Sequence, residues 1–323
     1  MRIHRIGAAV AAAALALTAA ACGGAEAGGG GGEADQPYLA IVSKGFQHQF
    51  WQAVKRGAEQ EAARQGVRIS FEGPATESDV EGQITMLTNA LGRQPDVIGF
   101  AALDSRAAAP LLQQAQSRDI PVVAFDSGVD SDIPVTTVAT DNKAAAAEAA
   151  KHMAEALGGQ GKVAMVVHDQ TSKSGTDRRD GFIEWMEANA PGIELLEPQY
   201  GGGDQLESAN ITRNIITTTP DLAGIYASNE GSAIGVIRGV QESGAQGLTV
   251  IGFDSGAAQI EAIRNGTMLG AITQNPIGMG EELVKAAVKA VNGEPLPPTI
   301  DTGFFWYDKS NIDSPEIQEV LYQ

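Results

Sequence analysis

From residue 38 onward, short apolar runs rich in Val, Ile and Ala alternate with longer segments whose apolar residues recur at helical spacing. The runs Tyr38 to Ser43, Val67 to Phe71, Asp96 to Leu103, Ile120 to Phe125 and Val135 to Ala139 predict strands. Between them, Phe50 to Gln65, Glu77 to Leu91 and Ser105 to Arg118 predict helices, the second opened by Thr76 as N-cap. The pattern then restarts. An alanine-rich helix from Lys143 to Leu157 ends at Gly158-Gly159, and strands are expected at Lys162 to Val167, Ile193 to Glu197, Leu222 to Ala227, Leu248 to Phe253 and Met268 to Thr273. Helices at Thr176 to Asn189, Gln205 to Thr218, Ser232 to Glu242, Ala257 to Asn265 and Ile277 to Val291 complete the alternation. Strand and helix in strict succession predict an α/β chain with parallel sheets covered on both faces.

One phrase occurs twice. Ile120-Pro121-Val122-Val123-Ala124-Phe125-Asp126-Ser127-Gly128 is matched by Leu248-Thr249-Val250-Ile251-Gly252-Phe253-Asp254-Ser255-Gly256. Each copy reads as a buried parallel strand that delivers an aromatic ring and a carboxylate to its carboxyl end, where open α/β sheets bind ligands. Two such ends, one in each half, suggest two similar lobes with one ligand between them.

The first residues carry other information. Arg2, His4 and Arg5 precede an apolar stretch too short for a membrane span, and Ala19-Ala20-Ala21 leads into Cys22. This resembles a lipoprotein signal over 1–21, which implies that Cys22 is acylated and the chain anchored to the outer face of a cell membrane; the alternative is an ordinary secretory signal followed by a chance cysteine. Cys22 is the only cysteine of the 323 residues, so a disulfide has no partner and a thioether-linked lipid gives the thiol a use. Residues 22–36, with the glycine run Gly28 to Gly32, are expected to form a flexible tether reaching on the order of 20 Å. Loss of Arg2 and Arg5 with the leader takes the net charge from −18 to −20, a field that repels nucleic acid.

Several chemistries are excluded by spacing. Gly158-Gly159-Gln160-Gly161-Lys162 is followed by Val163 and a strand, which no phosphate loop allows. There is no Gly-x-Ser-x-Gly, and His4, His48, His152 and His168 lack metal-ligand spacing. No cofactor is expected.

The chain from Tyr38 to its end resembles the type I periplasmic sugar-binding proteins of the ribose-binding kind. The resemblance rests on His48-Gln49-Phe50-Trp51, Phe125-Asp126, Asp141-Asn142, Arg178-Arg179-Asp180-Gly181-Phe182, Ala227-Ser228-Asn229-Glu230, Ile251-Gly252-Phe253-Asp254 and Thr273-Gln274-Asn275-Pro276, in that order. It implies two Rossmann-like lobes joined by a three-crossing hinge, the first formed by 37–140 and 275–298 and the second by 141–274 and 299–323. It also implies a ligand enclosed when the lobes close, and delivery of that ligand to ABC permease subunits by a monomeric protein.

The matched residues have the chemistry a sugar needs, flat apolar faces and a polar rim. Phe50, Trp51 and Phe253 are the candidate faces, with packing of the lobes as the alternative role for Phe50 and Phe253. Asp126 and Asp254 either accept bonds from hydroxyl pairs or cap the helices that follow. Arg178 donates, with Arg179 as its substitute if the loop is shifted, and Asn229, Gln274 and His48 offer a donor and an acceptor apiece. Two departures bear on the ligand: Ser127 stands where the ribose-type pattern has arginine, and Gly203 where it has phenylalanine. Two carboxylates against one guanidinium leave this pocket near −1, which favours a neutral monosaccharide or polyol over an acid or phosphate. The same fold serves ligand-sensing accessories of chemoreceptors, sensor kinases and autoinducer-2 systems. Two carboxylates across a cleft are also the pattern of a glycosidase, although no feature of the sequence raises the pKa of either. The chain is expected not to be an enzyme. The cluster Phe304 to Tyr307 either packs internally or meets a partner.

Overall fold

The computed structural model describes residues 36–322; the leader, Cys22 and the tether lie outside them. Two α/β sheets are built in succession. The first half runs β1 (Tyr38–Val42), α1 (Gln49–Gln65), β2 (Arg68–Glu72), α2 (Val80–Gly92), β3 (Val97–Phe100), α3 (Ala109–Ser117), β4 (Val122–Phe125) and β5 (Thr136–Ala139). The second runs α4 (Asn142–Ala156), β6 (Gly161–Val167), α5 (Lys173–Asn189), β7 (Ile193–Leu195), β8 (Gln199–Tyr200), α6 (Gln205–Thr218), β9 (Leu222–Ala227), α7 (Glu230–Ser243), β10 (Thr249–Phe253), α8 (Ala257–Asn265) and β11 (Gly270–Gln274). The chain then returns through α9 (Pro276–Val291) and β12 (Thr299–Asp301) to the first sheet, and finishes with β13 (Phe304–Asp308) and α10 (Pro315–Gln318).

The first sheet has the order β12-β5-β4-β3-β1-β2 and is parallel throughout. The second has the order β13-β11-β10-β9-β6-β7, parallel except for β13, which runs antiparallel to β11. In both, the first strand in chain order lies inside the sheet, with β2, or β7 and the short β8, on one side of it and β3 or β9 on the other. That reversal opens a crevice at the carboxyl ends of the strands. The repeated phrase therefore occupies the same place twice, as the fourth strand in from the β2 edge of one sheet and from the β7 edge of the other.

Each sheet is covered on both faces. In the first lobe α1 and α9 pack one face, with Leu39, Ile41, Val54, Met279 and Leu283 in one cluster, while Leu87, Leu91 and Leu112 from α2 and α3 cover the other. Helices α1 and α9 touch backbone to backbone: a Cβ on Gly57 would stand 2.0 Å from the Ile277 carbonyl oxygen, and one on Gly280 2.1 Å from that of Val54. The second lobe repeats the plan, α4 and α5 on one face and α6, α7 and α8 on the other.

Three local expectations change. The cap of α2 is Asp79, whose carboxylate accepts from the Gly82 N–H at 2.9 Å, so the helix starts three residues beyond the expected Glu77. Helix α3 starts at Ala109 because Asp104 draws the N–H groups of Arg106 and Ala107 into a turn first. The last crossing also lies further along than 298. Thr299–Asp301 pairs with Thr137–Ala139 as an edge strand of the first sheet, and only at Gly303, with φ 76°, does the chain turn into the second. The aromatic cluster Phe304 to Tyr307 then packs internally as β13, with Tyr307 fully buried.

Candidate functional site

The carboxyl ends of the two sheets face each other across a cleft. Asp126 and Asp254 each leave their strand with positive φ, 55° and 79°, while their N–H groups extend the ladder to Val138 and Ile272 of the next strand. This bend turns both carboxylates out of the sheets and leaves the preceding aromatics, Phe125 and Phe253, pointing into the cores.

A cavity of about 20 Å³ lies between the lobes, room for one water-sized group. Eight of the nine predicted residues line it: His48, Phe50, Trp51 and Asp126 from the first lobe, and Arg178, Asn229, Asp254 and Gln274 from the second. Phe253 does not. It is fully buried, and the Arg178 guanidinium lies 3.7 Å above its ring. It serves as the floor on which the guanidinium rests, a cation–π support rather than a face of the cavity. The aromatic surface of the cavity comes from the first lobe alone.

Arg178, not Arg179, points inward. Its Nε donates to Asn142 Oδ1 at 2.7 Å and its Nη1 to the Ser228 carbonyl at 2.9 Å, with Asp254 Oδ2 at 3.9 Å. Arg179 is turned away and held by Asp180 and the Tyr200 hydroxyl. Asp254 accepts from the Glu230 N–H at 2.8 Å and from Gln274 Nε2 at 2.7 Å, so the start of α7 and the end of β11 fix it.

Asp126 differs: among the described residues no group donates to its carboxylate. Burial, opposed by Lys44 and Arg178 and reinforced by Glu77 and Asp254, pushes its pKa up to about 6. The sequence offered no feature that would raise either carboxyl, and burial between two lobes supplies one.

Five further residues line the cavity: Lys44, Glu77, His168, Ser174 and Glu230. Glu77 accepts from Trp51 Nε1 at 2.6 Å and from Asn229 Nδ2, across the cleft, at 3.1 Å. Burial alone would raise its pKa; the charge of Lys44, that of His48 whenever it is protonated, and the Trp51 hydrogen bond outweigh burial and hold it below the usual range. His48, at the N-cap position of α1, has no hydrogen-bond partner on either ring nitrogen, and its Nε2 is 3.8 Å from Glu77 Oε2. Lys44 crosses the cleft to the Ser172 and Ser174 hydroxyls, 3.2 Å each, with Asp169 at 3.6 Å. Burial and the neighbouring Lys44 charge lower the His168 pKa, so its ring stays neutral, with Nδ1 2.7 Å from the Ser228 hydroxyl.

The formal charge of the lining is therefore not the −1 expected. Four carboxylates (Glu77, Asp126, Glu230, Asp254) face Lys44 and Arg178, giving −2 with neutral histidines. Gly203 explains how Glu77 fits. With φ 67°, it passes so close that a Cβ would stand 2.9 Å from Glu77 Oε2 and 3.1 Å from Asn229 Nδ2. A phenylalanine there would occupy the place of this pair.

Chemically the cleft is a set of hydrogen-bonding groups beside two aromatic rings, with charges from both lobes. No cluster of three His, Cys, Asp or Glu able to hold a metal ion occurs among the described residues, and no helix among them is long and apolar enough to cross a membrane.

Comparison with known proteins places this arrangement. The periplasmic binding protein domain family matches residues 39–295, and the chain belongs to that family. It is similar to the D-allose-binding periplasmic protein of Escherichia coli (strain K12), 28% identical over 80% of this chain and 86% of that one. Among solved structures it is similar to an ABC transporter solute-binding protein of Agrobacterium vitis with bound D-fucose, at 34% identity and TM-score 0.85, covering 88% of this chain and all (100%) of that one. A second from Agrobacterium vitis, bound with α-D-tagatopyranose, is 28% identical with TM-score 0.86, covering 89% and 100%. These relatives are substrate-binding proteins, and the protein is a member of the sugar-binding solute-binding group of ABC transporters.

Proposed function

We propose that this protein captures one neutral monosaccharide or polyol in the interlobe cleft and delivers it to ABC permease subunits. It acts as a monomer outside the cell membrane, tethered there through lipidated Cys22, and is not an enzyme. The observation that carries the reading is Asp126: a carboxylate buried between the lobes that accepts no bond from the described residues, beside aromatic rings of the first lobe and amide groups of the second. Its two oxygens suit a pair of sugar hydroxyls.

The lining supports a neutral ligand. Three of its four carboxylates, Glu77, Glu230 and Asp254, are already engaged by donors within the protein, and the two cations are held by their own partners. A desolvated anion would enter a net negative lining with no free cation among the described residues to meet it. The three relatives named above bind, by their descriptions, neutral sugars. Since the cavity holds one water-sized group, a sugar enters only when the lobes part, and the three crossings between the sheets are where that motion bends.

The test is thermal unfolding of the chain from Glu33 onward against pentoses, hexoses, deoxysugars, polyols, inositols, sugar acids and sugar phosphates. A ligand at a hundred times its dissociation constant stabilises the folded state by about 2.7 kcal/mol. The reading predicts a rise with one neutral compound. A flat response to all of them, with a rise for an acid or phosphate, contradicts it.

A further inference from the structure

Helix α1 opens onto the cleft without a cap of its own. His48, at its N-cap position, makes no side-chain cap bond, and its first turn contains no acidic residue. Its first two N–H groups, those of Gln49 and Phe50, instead donate to the two carboxylate oxygens of Glu230 on the opposite lobe, at 2.9 and 3.0 Å. An anion at a helix N-terminus is favourable, and here it is supplied from across the cleft.

The favour is returned. Helix α8 of the second lobe follows Gly256, which has no side chain to cap with, and its first N–H, that of Ala257, donates to Gln49 Oε1 at 2.8 Å. The two acceptors converge at that glycine: a Cβ on Gly256 would lie 3.1 Å from both Gln49 Oε1 and the Glu230 carboxyl carbon. Each lobe thus lends one side chain to a helix end of the other.

We propose that Glu230 and Gln49 form a cross-cleft latch that sets ligand affinity without choosing the ligand. These three bonds exist only when the lobes are together, and parting returns every group in them to water. Their free energy therefore enters the closure equilibrium, and a shift in that equilibrium changes the apparent affinity for every ligand by one common factor. Although Glu230 lines the cavity, both its oxygens are committed to backbone donors. This is a positioning role, and it rests on the proposed function, namely that a sugar is held by closure of this cleft.

The experiment uses the chain from Glu33, which lacks Cys22 and so has no cysteine. Exposed Gln116 and Gln241, one on each lobe, are replaced (Gln116→Cys, Gln241→Cys) and dye-labelled to report interlobe distance by energy transfer. Two neutral sugars that bind the wild type are titrated into wild type, Glu230→Gln and Gln49→Ala. The latch predicts weaker binding in both variants, about tenfold for Glu230→Gln. The factor should be the same for both sugars, and energy transfer without sugar should shift toward the open form. Gln49→Ala, at a half-buried position, keeps the test decisive if Glu230→Gln folds poorly. A factor that differs between sugars would make Glu230 a ligand contact, and unchanged affinity would remove the latch; either result overturns the proposal. Absence of any sugar binding by the wild type contradicts the proposed function itself, and the latch with it.

Discussion

Asp126 and Asp254 leave equivalent strands in the same left-handed conformation, yet among the described residues only Asp254 finds donors for its carboxylate. The two copies of one phrase have therefore divided their work, Asp254 building the cleft and Asp126 facing into it. Asp126→Asn should weaken sugar binding by about 1.5–3 kcal/mol, the range for a hydrogen bond to a charged group, without lowering stability. Asp254→Ala should lower both, because the Glu230 N–H and the Gln274 amide lose their acceptor, at about 1–3 kcal/mol for each buried group left unpaired. Calorimetric titration and urea unfolding, run side by side, check the contrast. Equal loss of stability in the two variants would show that the division does not exist.

The raised pKa of Asp126 gives a pH dependence of definite sign. With a folded value of about 6 against an ordinary 3.8, the folded state holds its proton more tightly than the unfolded. The contribution is fully present below about 3.8 and is lost as pH rises through about 6, on the order of 3 kcal/mol in all. Glu230, raised by burial, acts in the same direction; Glu77 and Asp169, lowered because neighbouring charges outweigh burial, act in the opposite one. Subtracting the profile of Asp126→Asn cancels these, and the difference should show wild type gaining stability from pH 7 toward pH 4. A flat difference would mean that Asp126 titrates normally.

Phe253 and Trp51 are both buried aromatics, but their removal acts on different neighbours and differs in what it costs the fold. Phe253→Ala should cost about 3–5 kcal/mol of stability, as for an aromatic removed from a core, and should weaken binding by unseating Arg178. Trp51→Phe keeps a ring but removes the N–H that donates to Glu77 Oε1 at 2.6 Å. It should weaken binding about tenfold and cost about 1.5–3 kcal/mol of stability, the range for a lost bond to a charged group, which is less than Phe253→Ala costs because Glu77 keeps its bond from Asn229. Denaturant midpoints and dissociation constants for the two variants separate the roles.

The misplacement of Phe253 shows where sequence reasoning reaches its limit. The alternation of strands and helices and the repeated Phe-Asp-Ser-Gly were legible because burial imposes period and abrupt ends on a parallel strand. Which way the phenylalanine points depends on the positive φ of the aspartate after it, and that bend carries no hydrophobic pattern. Lys44, Glu77 and His168 were missed for a related reason. They lie on loops after β1, β2 and β6, where polar residues are expected, and only the approach of the opposite lobe turns them into cleft residues. Glu230 stood inside a quoted phrase, but its role requires the end of α1, which is far away in sequence. The chain reads as extended from Thr299, after Pro295, Pro297 and Pro298, but β12, three residues at a sheet edge with Ile300 as its one apolar side chain, has too little pattern to show which sheet it joins.

A buried carboxyl of raised pKa opposite a second carboxylate also has the elements of a glycosidase. Asp254, however, is committed to Glu230 and Gln274 and so is poorly placed to act as a nucleophile. Incubation with aryl glycosides, α and β, should release no phenol above the uncatalysed rate. Sustained turnover abolished by Asp126→Ala would require a catalytic account of the cleft.

The central claim, that one neutral sugar is held between the lobes by Asp126 and its neighbours, is tested most directly by calorimetric titration of the chain from Glu33. The titrants are the sugar that raises its melting temperature most and the phosphate ester of that sugar. The account predicts one sugar bound per chain, no binding of the ester at the same concentration, and loss of the sugar signal in Asp126→Ala. Tighter binding of the ester, or sugar binding unchanged by Asp126→Ala, would contradict it.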